Sequence, residues 1–140
     1  MGTNIKVSDV MKSNVIVIPA GAPVVEAAKL MSKHSIGSVV VIEENEARGI
    51  VTERDIIRKV VASNKQATVE VSKIMSSPLI VSSPDITVEE AAKIMNKHGI
   101  KRLPLIDDKG YIVGIITEND ILKLLPSLID LIEERSLIGQ

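Results

Sequence analysis

The chain has 140 residues and a formal net charge of −1, with 17 Lys plus Arg against 18 Asp plus Glu; it lacks Cys, Trp and Phe, yet 45% of it is hydrophobic. Without cysteine there is no disulfide framework and no thiolate metal site, near-neutrality argues against a general nucleic-acid binder, and a single Tyr rules out stacking platforms for single strands. So apolar a chain is not disordered, no apolar run nears the ~20 residues of a membrane span, and Met1–Lys6 carries no signal-peptide pattern, so the expected setting is soluble and cytoplasmic.

Val7–Met11 reads as a short turn leading to a brief strand at Val15–Ile18. Val24, Ala27, Ala28 and Met31 follow at i, i+3, i+4 and i+7, the spacing of a helix with one apolar face. Pro23 suits its first turn. Val39–Ile42 is a continuous β-branched run, as in buried strands. The polar turn Glu43–Glu46 then leads into a strand ending at Thr52, and a helix is predicted from Glu53 to about Ser63.

The same series then starts again. Val7-Ser8-Asp9-Val10-Met11 returns as Val71-Ser72-Lys73-Ile74-Met75, and residues 7–42 laid on 71–106 give 16 identities in 36 positions. One residue is inserted, after which Gly49 to Ile56 returns as Gly114 to Ile121. In the second copy Thr87 and Glu90 read as a capping box at the helix start. Asp107-Asp108-Lys109-Gly110 is a hairpin signal, and the last helix is predicted from Glu118 to about Leu125. The chain divides into repeat 1 (1–63), a linker (64–70), repeat 2 (71–125) and a tail (126–140) that opens on Pro126. Leu128, Leu131 and Ile132 make that tail a short amphipathic helix, which closes over the chain's own core or contacts another copy. Each repeat is β-α-β-β-α, an α/β (α+β) unit too small to stand alone, so two should pack together.

Both repeats end on Gly-apolar-apolar-Thr-x-x-Asp, at Gly49–Asp55 and Gly114–Asp120. Thr52 with Asp55, and Thr117 with Asp120, read either as structural capping boxes or as a ligand site. A helix start at a sheet edge suits an anion, a short carboxylate suits a sugar diol, and a glycine permits close approach by a ligand or a strand. Phosphate plus diol describes a nucleotide.

The element order, the paired repeats, both Thr/Asp motifs and Ile100-Lys101-Arg102-Leu103-Pro104-Leu105 together resemble the cystathionine-β-synthase (CBS) domain pair, or Bateman module, over residues 7–125. The resemblance implies two repeats packed through their sheets with pseudo-twofold symmetry. It also implies a regulatory sensor that binds adenosine-type ligands (AMP, ADP, ATP or S-adenosylmethionine) between the repeats, forms homodimers and signals to an effector protein, with no cofactor required. Carried over by position, the first site comprises Thr52 and Asp55 with Leu79, Ile80, Lys101 and Arg102, and Arg54 as a further phosphate contact. The second comprises Thr117 and Asp120 with Val15, Ile16, Gly37 and Ser38. Because Gly37 and Ser38 stand where repeat 2 has Lys101 and Arg102, the first site is expected to prefer phosphorylated ligands, and the second to be weaker, empty or less charge-selective. The alternative is a dimerisation module with no physiological nucleotide.

His34 and His98 fall at helix C-termini and read as structural rather than metal ligands. Met11, Met31, Met75 and Met95 read as core filler, and Arg58 and Lys59 as a solvated helix face. Nothing pairs a nucleophile with a base, so no enzyme and no metal are expected.

Overall fold

The computed structural model describes residues 4–124. Helix α1 (Val7–Val10) precedes β1 (Val17–Pro19), α2 (Val24–His34), β2 (Ser38–Glu43), β3 (Glu46–Thr52) and α3 (Glu53–Ile56). Repeat 2 opens on a tight turn at Val71–Lys73 and continues as α4 (Val88–His98), β4 (Arg102–Ile106), β5 (Ile112–Thr117) and α5 (Glu118–Leu122). The expected tail helix lies outside the described residues.

In repeat 1, β1 runs parallel to β2, which pairs antiparallel with β3. The strand expected at Val15–Ile18 is thus shifted to Val17–Pro19. In repeat 2 only β4 and β5 form a ladder, and the counterpart of β1 shrinks to one parallel bridge, Ser82 with Leu105. Pro104 supplies the reason. In repeat 1 the Val40 N–H donates to the Ile16 carbonyl at 3.1 Å; Pro104 occupies the matching place and has no N–H to give. The third helix of repeat 1 also departs from expectation. Regular α-helix ends at Ile56 and a wider turn, Ile57–Val61, follows, with the Ala62 N–H donating to the Ile57 carbonyl at 2.8 Å. Such five-residue hydrogen bonds are rare in helices.

Each repeat completes the other's core. Val7 is fully buried among Val88, Ala91, Met95, Leu103, Leu105 and Ile116 of repeat 2, whereas Val71 and Ile74 are buried among Ile18, Val24, Ala27, Val39 and Val51 of repeat 1. Backbone bonds follow the exchange: the Val7 N–H donates to Ile86 O at 2.9 Å, and the Val71 N–H to Ala22 O at 2.9 Å. Two bridges further along are equivalent under the repeat, Lys12 with Ile115 and Ser76 with Ile50. These pairs express the pseudo-twofold relation between the halves.

The exchange also accounts for the motif glycines. A Cβ on Gly49 would stand 2.6 Å from Met75 Sδ and 2.8 Å from the Ser76 carbonyl oxygen, and one on Gly114 would collide with Met11. The close approach is therefore made by the opposite repeat's methionine rather than by a ligand. Gly49→Ala and Gly114→Ala should each destabilise the fold by about 1–3 kcal/mol through overpacking. Gly21→Ala, whose added Cβ would meet nothing within 4 Å, should stay within about 0.5 kcal/mol of the parent. Urea unfolding compares all three, and equal midpoints would refute the packing argument.

Candidate functional site

Thr52 and Thr117 are the last residues of β3 and β5 and the N-caps of α3 and α5. In repeat 1 the Thr52 N–H donates to Asp55 Oδ2 at 2.9 Å, and the Asp55 N–H donates to Thr52 Oγ1 at 3.2 Å. In repeat 2 the matching distances for Thr117 and Asp120 are 2.9 and 3.1 Å. Both motifs are thus complete capping boxes, each satisfying donors that a helix start leaves open. Asp55 and Asp120 are the buried charged side chains among the described residues.

The two carboxylates differ in their second oxygen. Asp55 Oδ1 lies 3.2 Å from Lys59 Nζ, which also donates to the Ile74 carbonyl at 3.0 Å. Asp120 Oδ1 has only Lys12 near it, at 3.8 Å, and that lysine is exposed. In repeat 2 the position matching Lys59 is Leu124, which packs on the second core. The second oxygen of Asp120 is thus only loosely paired, by an exposed lysine at 3.8 Å, while that of Asp55 is held at 3.2 Å.

A cleft of ≈ 410 Å³ opens beside Thr117. Its walls come from both repeats: Val15, Ile16, Gly37 and Ser38 from the first, Thr117, Glu118 and Asn119 from the second. Every residue expected at the second site thus lines it except Asp120, which sits behind Thr117 with its second oxygen toward Lys12 of the wall. Four cations line the same cleft, Lys12, Lys101, Arg102 and Lys123, against one acid, Glu118.

The distribution of charge is the reverse of the sequence expectation. Lys101 and Arg102, expected at the Thr52 site, line the Thr117 cleft. The Arg102 guanidinium lies over Gly37, where a Cβ would come within 2.6 Å of its Nη2, so the missing side chain in repeat 1 makes room for the cation from repeat 2. The remaining first-site residues are not brought together. Leu79 lines a groove between the two hairpin tips with Glu46, Arg48 and Tyr111, and Ile80 packs against the second core. Arg54 is exposed on the first turn of α3 and does not line the Thr117 cleft.

The helix starts also contribute less to anion binding than expected. The Glu118 N–H donates to Lys101 O at 2.8 Å and the Asp120 N–H to Thr117 Oγ1, so both are occupied. The positive charge of the cleft therefore comes from its basic side chains. Lys12 and Lys123 were missed. Lys12 faces Ser76 in the repeat alignment, a charge mismatch that could have marked it, and Lys123 matches the basic Arg58.

Among the described residues no group of three or more His, Cys, Asp or Glu could hold a metal ion, and no helix is long and apolar enough to cross a membrane. His34 and His98 end α2 and α4, as expected.

Comparison with known proteins agrees with this architecture. An uncharacterized protein of Methanopyrus kandleri is 42% identical over 133 residues, which are 94% of this chain and 68% of the relative. Among solved structures, the CBS domain pair of protein MJ0100, in complex with 5′-methylthioadenosine and S-adenosyl-L-methionine, is 31% identical. It superposes with a TM-score of 0.81 over 89% of this chain and 98% of its own. A hexameric CBS-CP12 protein from bloom-forming cyanobacteria is 33% identical with a TM-score of 0.79, over 86% of this chain and 68% of that one. The CBS domain family model matches twice, at residues 7–62 and 71–127. With two matching repeats, reciprocal cores and capped Thr/Asp motifs in both halves, the chain belongs to the CBS domain family as a tandem pair.

Proposed function

We propose that this CBS pair is a regulatory module that binds a phosphorylated adenosine ligand, such as AMP, ADP or ATP, in the Thr117 cleft. The observation that carries the reading is the charge of that cleft, four cations against one acid, beside a buried carboxylate whose second oxygen has only an exposed lysine at 3.8 Å. Asp120 Oδ1 accepts from a ribose hydroxyl, Val15 and Ile16 offer an apolar wall to the base, and Arg102 with the lysines meets the phosphates. The cleft volume is in the range of small-ligand sites. The adenosine ligands of the MJ0100 pair support the same chemical class.

Because the walls belong to both repeats, a bound ligand favours one mutual arrangement of the halves, and a partner protein reads the shift in population. Self-association fits the exposed apolar side chains Ile57, Val61 and Leu122. Ile57 and Leu122 occupy equivalent positions in the two repeats, five residues after the capping threonines, so a homodimer can cover both. The competing reading, a scaffold with no nucleotide, draws on the completeness of both capping boxes without any ligand.

Calorimetric titration with AMP, ATP, S-adenosylmethionine and 5′-methylthioadenosine separates the two. The expected order places phosphorylated ligands first. Asp120→Asn should weaken AMP binding at least ~10-fold, since a hydrogen bond to a charged group is worth about 1.5–3 kcal/mol. Asp55→Asn should leave it unchanged. Silence across the whole panel, or equal losses in the two variants, would overturn the assignment.

A further inference from the structure

Lys59 is tied to both repeats. Its ammonium lies 3.2 Å from Asp55 Oδ1 and donates at 3.0 Å to the carbonyl of Ile74, a buried residue of repeat 2's opening turn. With Oδ2 held by the Thr52 cap, both oxygens of Asp55 are engaged. The ammonium occupies the place at Asp55 that corresponds to the loosely paired oxygen of Asp120, and it touches the opposite repeat as a bridging ligand would. In the other half Leu124 replaces the lysine, and Asp120 Oδ1 has instead only the exposed Lys12 of repeat 1, at 3.8 Å and beyond hydrogen-bond range. Lys59 also belongs to the widened turn Ile57–Val61, for which repeat 2 has no counterpart among the described residues.

We infer that Lys59 is an internal clamp that fills the first cleft, fastening α3 of repeat 1 to the opening turn of repeat 2 and leaving the chain one ligand site, at Thr117. In its ligand half this rests on the adenosine reading above; its mechanical half does not. Taken alone, an i, i+4 pair with a half-exposed lysine contributes little. The cross-repeat bond to Ile74 makes the contact more than a surface pair, because the exchanged turn it holds is part of the first core.

The bridges of the two halves provide an internal control. Ser76 and Ile50 exchange backbone bonds of 2.9 and 3.2 Å next to the clamp, while Lys12 and Ile115 exchange two of 2.9 Å in the half without one. In ligand-free protein, Lys59→Leu should speed amide hydrogen exchange at Ser76 and Ile50 about fivefold, the factor given by ~1 kcal/mol of local opening. Lys12 and Ile115 should be unchanged, and Lys59→Arg should restore the slow rates. Unchanged exchange at Ser76 and Ile50 in Lys59→Leu overturns the clamp, whatever any ligand does.

Titration with ADP then tests the occupancy. The parent chain should bind one equivalent, Lys59→Leu two, and Lys59→Leu combined with Asp120→Asn one again, now at Asp55. Two equivalents in the parent, or one in Lys59→Leu, would overturn the blocked cleft. If no variant binds ADP while the exchange rates respond as stated, the nucleotide reading falls and the clamp stands.

Discussion

Expressed separately, residues 1–63 and residues 64–140 should each be unfolded, and equimolar mixing should restore a folded complex. A single repeat would be of a size that is marginal even with a full core, and neither half has one. Residues 1–63 lack Val71 and Ile74, two fully buried side chains of the first core. At about 1.5–3 kcal/mol each, that loss of about 3–6 kcal/mol alone reaches the lower end of the 5–15 kcal/mol stability of a typical domain. They also lose the backbone bonds from Val24 to Val69 and from Val25 to Ala67, which hold the first turn of α2. Residues 64–140 lack Val7 and the side chains that pack beside it, Ile5, Val10 and Met11. Circular dichroism and amide proton spectra of the halves, alone and mixed, provide the measurement. A cooperative thermal transition in either isolated half would contradict the exchange of opening turns. A milder version keeps the chain whole: Val7→Ala and Val71→Ala should each cost about 2 kcal/mol.

How much of this was legible in the sequence depends on the range of the interaction. The local devices were readable, since a capping box needs only Thr and an acid three residues on, and both occur as written, at Thr52 with Asp55 and at Thr117 with Asp120. Helices α2 and α4 were readable from their apolar spacing, because one stripe of Val, Ala and Met faces each core. The repeat made the pseudo-symmetry readable too. What the repeat concealed was which copy each segment serves. Val7 and Val71 are both apolar turn residues whichever core they enter, and periodicity carries no address. For the same reason the sequence leaves the neighbour of Gly49 open between a ligand and a strand, whereas it is Met75 with the Ser76 carbonyl.

The site shows the same limit. Lys101 and Arg102 could be placed at the entrance to a strand, but the direction of a side chain there depends on which neighbour leaves space, and Gly37 leaves it. Lys59 read as one of several basic residues on a solvated face until Ile74 of the other repeat came within reach. On the proposed reading, it is the departures from symmetry that decide which half binds. The sequence places Lys at 12 against Ser at 76, and Leu at 124 against Lys at 59; one motif then borders an open cleft, while the carboxylate of the other is paired with Lys59.

Arg102→Glu should cost the chain most of its affinity for ATP, roughly 100-fold, while changing the affinity for uncharged 5′-methylthioadenosine by less than about threefold. The four cleft cations are unequal. Lys12 and Lys101 are exposed, and an exposed lysine paired with an anion is worth about 0.2–1 kcal/mol. Arg102 is half-buried over Gly37 at the junction of the repeats, and its planar fork can grip a phosphate at two points where an ammonium grips at one. Reversing its charge removes that grip and sets a carboxylate near Glu53, whose own carboxylate also lies over Gly37. Lys101→Ala should therefore be the milder change, near fivefold. Arg48→Glu, at the hairpin tip beside Glu46 and outside the cleft, should leave binding unaltered. Salt supplies a second axis: between about 0.05 and 0.5 M the Debye length shrinks severalfold, so ATP affinity should fall steeply and that of 5′-methylthioadenosine hardly at all. Equal losses for the two ligands in Arg102→Glu would mean that Arg102 shapes the cleft rather than meeting phosphate. A salt-independent ATP affinity would remove the electrostatic basis for preferring nucleotides altogether.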